Sequence, residues 1–257
     1  MAEFKKKIAV VTGASSGMGR EFARRLDRDY DLEELWVIAR RGDRLAALAG
    51  ECRAKVRPLV LDLSQAESFT SLEALLVQEQ PDLRVLVNAA GYGLFGTFAQ
   101  MGMEEQLGIV DLNNRALTAM CRLCIPYLGP GSTIINLGSN SSWQPVPYMN
   151  VYAASKAYVL SFSRGLGVEL KDRGIHVMCV CPGWIKTEFF ERAVRDDTIR
   201  YYDRYYTAEQ VVDRAMRDLR RKKPVSILGF PVRAQVRLVK HLPVSLVMKT
   251  WCRQQGK

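Results

Sequence analysis

Residues 151–159 read VYAASKAYV, and the residues in it that could do chemistry are Tyr152 and Lys156. Four positions apart on a helix, the two side chains share one face. An ammonium beside a phenol favours the phenolate, so Lys156 is expected to lower the pKa of Tyr152 from its usual ~10. A tyrosine so adjusted can serve as a proton donor or acceptor near neutral pH. The plainer reading is an amphipathic helix with one exposed lysine. Of the ten tyrosines, only Tyr152 is followed by a lysine at the fourth position.

A second candidate is the stretch TGASSGMGR (12–20), which follows the apolar run IAVVT and opens a helix. Gly13, Gly17 and Gly19 allow a tight turn and close approach of a ligand to the backbone. With Ser15, Ser16 and Met18 they place free N–H groups and a positive dipole end where a phosphate would sit. No Lys-Ser/Thr follows the glycines, so a mononucleotide P-loop is excluded. About 20 residues on, NAD sites carry an acid for the ribose 2′-hydroxyl. Here VIARRG puts Arg40 and Arg41 in that place. Two guanidiniums suit a 2′-phosphate, so the expected cofactor is NADP(H).

The elements that must position these groups follow a simple alternation. Strand patterns are expected near 8–13, 35–39, 56–63, 85–91, 132–138 and 176–183, with SILGF (226–230) as a last strand. Helical patterns fall between them, near 17–28, 44–52, 64–80, 103–128 and 151–172. Thr207 with Gln210 reads as a capping box before a helix at 208–222. Apolar strands alternating with helices imply a parallel sheet covered on both faces, in an α/β doubly wound, Rossmann-type fold. The 257 residues suit a single domain (1–257).

Composition narrows the classes further. Hydrophobic residues make up 48% and no apolar run approaches the ~18 residues of a membrane span. The start, MAEFKKKIAVV, has too short an apolar stretch for a signal peptide, so an intracellular, cytoplasmic protein is expected. Six cysteines fit reduced thiols. Cys121 and Cys124 form a CxxC in a helical, apolar context, Cys179 and Cys181 are expected to point to opposite faces of a strand, and no metal site is expected. His176 and His241 lack catalytic partners.

The net charge of +10 is lodged at the end of the chain: from Arg217 to Lys257 there are eleven Lys/Arg and one acid, and the first 216 residues balance. Residues 231–257 therefore read as a basic helical extension. One reading is a solvated face beside the NADP site. Another is weak peripheral attachment to anionic membrane, with Val232, Val236 and Val239 at helical spacing beside Arg233, Arg237 and Lys240, and Trp251 at the interface. Nucleic-acid binding lacks any recognition motif. The segment 188–206 is rich in aromatics, among them Phe189, Phe190, Tyr201, Tyr202, Tyr205 and Tyr206. The rings suggest contact with a bulky, apolar ligand, or packing against neighbouring helices or a subunit interface.

Together TGASSGMG, NAAG (88–91), Ser139, Tyr152-x-x-x-Lys156 and CPGWIKT (181–187), in that order, resemble the short-chain dehydrogenase/reductase family over roughly residues 5–230. The resemblance implies hydride transfer between a nicotinamide and a carbonyl or secondary alcohol. It implies Tyr152 as general acid/base and Lys156 on the nicotinamide ribose. It implies Ser139 as hydrogen-bond donor to the substrate oxygen. Asn113, preferred over its neighbour Asn114, would support a water relay. Asp62 and Leu63 correspond to adenine contacts, Asn88, Ala89, Ala90 and Gly91 to the turn under the cofactor. Pro182, Gly183, Ile185 and Thr187 correspond to the segment holding the carboxamide, and the aromatic segment 188–206 to the substrate loop. Gly138 stands where a serine often precedes the catalytic one. The resemblance also implies a homodimer or homotetramer. A different class, an inert NADP(H)-binding regulator on the same fold, stands as the alternative.

Overall fold

The computed structural model describes residues 5–202 and 204–257; Met1 to Phe4 and Asp203 lie outside the described residues. Among the described residues seven strands form one parallel sheet: β1 (Lys7–Thr12), β2 (Glu34–Ala39), β3 (Lys55–Val60), β4 (Asp82–Asn88), β5 (Leu128–Leu137), β6 (His176–Val180) and, after two short strands, β9 (Val225–Ser226). Their spatial order is β3-β2-β1-β4-β5-β6-β9. The order reverses between β1 and β4, and an open α/β sheet presents its ligand crevice at the carboxyl ends of such a pair.

Period-2 alternation along β1 explains how both sheet faces are buried. Ile8 and Val10 join one core with Trp36, Ile38, Leu83 and Leu86. Ala9 and Val11 join the other with Val37, Val85 and Val87. The first core is closed by α3 (Ala66–Glu79), α5 (Ala116–Cys124) and α6 (Asn150–Glu169), the second by α1 (Gly17–Asp29), α2 (Gly42–Ala49) and α8 (Ala208–Arg220). Cys121 and Cys124 belong to the first core, and burial pushes the Cys121 thiol up to about 12.

The expected long helix at 103–128 is broken. After α4 (Met103–Val110), residues Asp111–Arg115 form a widened π-helical turn before α5 begins. Such turns change the facing of the side chains they carry. The expected last strand at 226–230 is shorter than its apolar run, because Gly229, at φ 85°, turns the chain into α9 (Phe230–Val239). Cys179 and Cys181 do not point to opposite faces: residues two apart in extended chain share a face, and their sulfurs are 3.5 Å apart.

The basic extension is folded onto the body. It comprises α9 and α10 (Val244–Gln254). Val232 and Val236 are buried, and Trp251 Nε1 donates to the Pro147 carbonyl at 3.0 Å. Those side chains are therefore spent on the protein's own interior and cannot form the membrane-facing stripe expected from their spacing. Among the described residues no helix is long and apolar enough to cross a membrane.

The capping box at Thr207 is formed, with Gln210 N donating to Thr207 Oγ1 at 3.2 Å and Thr207 N donating to Gln210 Oε1 at 3.1 Å. At the other end of α8, Asp218 is 2% exposed and accepts from Arg214 Nε, Lys223 Nζ and Ser226 Oγ at 2.7–2.9 Å. It ties α8 to the last strand. Burial alone would raise this carboxyl, but the bonds from Lys223, Arg214 and Ser226 hold it below its ordinary value. Asp218→Ala should cost about 1–3 kcal/mol in urea unfolding at neutral pH. A group with a depressed folded pKa stabilises above its unfolded pKa, so the gap between the two proteins should close as pH falls below about 4. A gap that persists to low pH would remove the ionic part of this account.

Candidate active site

The crevice is held open at its floor by Thr12, the last residue of β1. Its hydroxyl accepts the N–H groups of both Ala89 and Ala90 at 3.0 Å and donates to Val87 O at 3.4 Å. The NAAG turn is thereby fixed over the glycine loop. Gly13 has φ 67°, and a Cβ there would lie 2.8 Å from Ala90 N, so both conformation and contact demand glycine. Asn88 does not reach the crevice: its side chain is buried in the sheet and donates to Asn136 Oδ1 at 2.9 Å and to the Cys121 sulfur.

Two cavities meet at this place. One, of about 490 Å³, is lined by Gly13, Ser15 to Gly19, Arg40, Arg41, Asp62, Leu63, Ala89 to Gly91 and Thr187. The other, of about 360 Å³, is lined by Ser139, Tyr152, Lys156, Pro182, Gly183 and Ile185 together with apolar side chains. Met18, Ala89, Gly91, Tyr92, Thr187 and Phe189 border both. Asn88 and Asn113 border neither.

Ser139 caps a short 3₁₀ turn (Asn140–Trp143), its Oγ accepting from Ser141 N at 3.2 Å and donating to Asn140 Oδ1 at 3.2 Å. The turn is pinned to α6 through Ser142 Oγ, which donates to the carbonyl of Lys156 at 2.8 Å. Gly138 precedes it because a Cβ there would lie 2.8 and 2.9 Å from the sulfurs of Cys179 and Cys181. The paired thiols leave no room for a serine at that position.

Lys156 is buried, and its Nζ donates to Leu137 O at 2.8 Å. Burial lowers its pKa to about 8. The ammonium lies 5.7 Å from the centre of the Tyr152 ring. The expected lowering of Tyr152 is reversed. The residue is half-buried by surface area, enclosing protein pushes its phenol up to about 12, and the hydrogen bond from Ser139 offsets only part of that. Desolvation of the phenolate is the largest cause, and the Lys156 ammonium, itself desolvated, spends a donor on the Leu137 carbonyl.

Asn113 sits in the widened turn. Its Oδ1 accepts from Tyr92 N at 3.0 Å, and its Nδ2 donates to Tyr92 O at 3.0 Å and to Ser155 Oγ at 2.9 Å. A Cβ at Gly91 would lie 2.8 Å from Asn113 Oδ1 and 3.5 Å from Lys156 Nζ, so the three positions adjoin. Asn114 turns instead to Ser155 O at 3.0 Å.

The aromatic segment does two things at once. Trp184, Phe189, Phe190 and Tyr201 line the smaller cavity, with Val146, Met149 and Trp251. Tyr202 and Tyr205 pack against Phe190 instead, at 5.5 and 5.3 Å between ring centres. Two short strands, β7 (Trp184–Ile185) and β8 (Tyr205–Tyr206), pair in parallel and close the segment, which also holds the short helix α7 (Phe189–Ala193). The Phe189 ring lies 5.5 Å from that of Tyr152.

Sequence reasoning missed three groups. Gln255, buried in the tail, accepts the N–H groups of Arg200 and Tyr201 at 2.9 and 3.0 Å and so clamps the aromatic segment. Arg192 stacks over Tyr92 at 3.6 Å. Glu188 accepts from Arg41 at 2.8 Å and pairs with Arg44. None of these contacts follows from a spacing, since each joins residues far apart in the chain.

Comparison with known proteins agrees with this geometry. The family model for short chain dehydrogenases matches residues 7–198. Sulfoacetaldehyde reductase 2 of Chromohalobacter salexigens is 35% identical over 189 residues, covering 71% of this chain and 74% of that one. A short-chain dehydrogenase from Sphingobium yanoikuyae, solved in complex with NADPH, is 30% identical with a TM-score of 0.76, covering 92% of this chain and 96% of that one. A bulky-bulky ketone specific alcohol dehydrogenase from Comamonas testosteroni is 27% identical with a TM-score of 0.72, covering 96% and 92%. With its parallel sheet, its crevice at the reversal of strand order and a matching family model over three quarters of its length, the chain belongs to the short-chain dehydrogenase family of oxidoreductases, which act on CH–OH and carbonyl groups.

Proposed function

We propose that the protein reduces a bulky, apolar ketone with NADPH, and oxidises the matching alcohol in reverse. The observation that carries this reading is the junction of the two cavities: a glycine-lined crevice edged by arginines opens onto a cavity walled by Trp184, Phe189, Phe190 and Trp251, with Ser139, Tyr152 and Lys156 at its base. The relative from Sphingobium yanoikuyae binds NADPH, and the one from Comamonas testosteroni is specific for bulky-bulky ketones; both support the reading. Steroids, bile acids and other lipophilic ketones are the substrate classes to test.

The crevice residues fit the cofactor. Backbone N–H groups at the start of α1 suit a pyrophosphate. Arg40 stands mostly exposed, 3.9 Å from Asp62, and Arg41 is held by the hydroxyls of Ser15 and Ser16 at 2.9–3.3 Å. The bound nicotinamide supplies the hydride. The chain's own residues manage the charge that then develops on the substrate oxygen. Ser139 is placed to donate a hydrogen bond to it, and the protonated phenol of Tyr152 to release its proton. The Lys156 cation stabilises the phenolate left behind. A phenol that stays protonated across the neutral range suits reduction. Exposed Leu107, Val110 and Tyr158 on neighbouring helices support self-association of the subunits.

Consumption of NADPH should be read by absorbance against steroids, bile acids, acyl ketones and small aldehydes. Tyr152→Phe should lower kcat by roughly 10²–10⁴ while leaving NADPH affinity intact. Retained turnover would remove Tyr152 from its role, and binding without turnover of any ketone would favour a regulator.

The pH profile gives an independent check. Lys156 is charged below about 8 and neutral above. Accordingly kcat/KM for reduction should hold steady at neutral pH and fall as pH rises through about 8. A rate that climbs between pH 7 and 9 would contradict the assignment.

Cofactor choice is read by titration of nicotinamide fluorescence. NADPH should bind at least about tenfold tighter than NADH, and Arg40→Ala should weaken NADPH binding and narrow that difference. Equal affinity for the two dinucleotides would overturn the NADP(H) reading.

A further inference from the structure

Arg41, which lines the crevice, and Arg44, three residues on, are both engaged. Arg41 Nη1 donates to Glu188 Oε2 at 2.8 Å, and Arg44 Nη1 pairs with Glu188 Oε1. One carboxylate thus takes a guanidinium on each oxygen, the arrangement that suits these groups when they recognise an oxyanion. Glu188 lines the same cavity as Arg40 and Arg41. It also immediately precedes α7, whose Phe189 faces Tyr152.

The far end of α7 is anchored separately. Arg192 stacks on Tyr92, Phe95 N donates to Ala193 O at 3.0 Å, and Arg195 pairs with Glu105 at 2.6 Å. At the near end the charged tie is Glu188. Glu188 is about 38% exposed, so it is within reach of water and of an incoming anion.

We propose that Glu188 is an internal substitute for the cofactor's 2′-phosphate, so that binding of a 2′-phosphorylated dinucleotide displaces the carboxylate from Arg41 and Arg44 and frees the near end of the α7 lid over the substrate cavity. The proposal rests on the NADP(H) reading above. Two anions cannot share one pair of guanidiniums without repulsion, so the phosphate must pay for the exchange in affinity. The arrangement makes Glu188 a specificity determinant: it weakens NADPH binding, leaves NADH binding untouched, and couples cofactor choice to the lid. The bonds from Arg41 and then Arg44 hold the Glu188 carboxyl below its ordinary value, and at neutral pH it is an anion.

The test uses the full chain and four probes: NADPH, NADH, 2′,5′-ADP and 5′-AMP. Glu188→Gln keeps size and loses charge. It should tighten NADPH and 2′,5′-ADP by roughly threefold to tenfold, as expected for two part-exposed ion pairs, and change NADH and 5′-AMP little. Hydrogen exchange of the 187–193 amides should rise in the wild type with 2′,5′-ADP and not with 5′-AMP. In Glu188→Gln it should already be raised without any probe. Unchanged or weaker NADPH binding in the variant, or exchange that ignores the 2′-phosphate, would overturn the proposal. The wild-type ratio of NADPH to NADH affinity tests the cofactor reading separately. A wild type that prefers NADPH while Glu188→Gln changes nothing would leave that reading standing and remove the exchange. A wild type without preference that gains one in Glu188→Gln would do the reverse.

Discussion

The buried ammonium of Lys156 is the constraint around which the site is built. A charge in that place is costly unless its donors are used, and the Leu137 carbonyl at 2.8 Å uses one of them. That carbonyl is available because β5 ends there and turns into the Ser139 cap. Ser142 then holds the backbone of Lys156 itself, so strand end, turn and helix lock one another. Gly91 must lack a side chain, because Asn113 and the ammonium adjoin it. The same burial moves the lysine down and the tyrosine up. The resulting pair, a protonated phenol beside a cation ready to lose its charge, follows chiefly from desolvation.

The second organising feature is the meeting of β1 and β4 at the reversal of strand order. Thr12 links the two ends through a hydroxyl that satisfies two backbone N–H groups at once. Without that link the NAAG turn would have two unsatisfied donors at the crevice floor. The glycines then let the loop pack directly on that turn and on itself, since a Cβ at Gly13 would lie 2.8 Å from Ala90 N and one at Gly19 2.6 Å from Gly13 C. Polar contacts behind this edge, from Asn88 to Asn136 to Ser163, carry the alignment through the sheet to α6. The basic tail belongs to the same assembly. Through Gln255 and Trp251 it holds the aromatic segment and part of the cavity wall, which gives its apolar residues an interior role in place of a membrane-facing one.

The sequence by itself determined the order of elements and the residues gathered at the carboxyl edge. Strand and helix periods are local, and the glycine loop, NAAG and Tyr-x-x-x-Lys each sit on one element or at one turn. For that reason the parallel sheet and the capping box at Thr207 were legible in the chain alone, while the grouping of Ser139 with Tyr152 and Lys156 came from the resemblance to a known family. Boundaries were less so where a local pattern continued past a break, as at the widened turn of 111–115 and at Gly229. Other features depend on distance and burial between residues far apart in the chain and emerge only on folding. The sign of the Tyr152 shift needed the volume of protein around it. The seating of Gly138 against the sulfurs of Cys179 and Cys181 needed the packing of β6 beside the turn after β5. The pairing of Glu188 with Arg41 and Arg44 spans some 145 residues, and no spacing rule reaches across such a gap, because it is the fold and not the chain that brings those charges together.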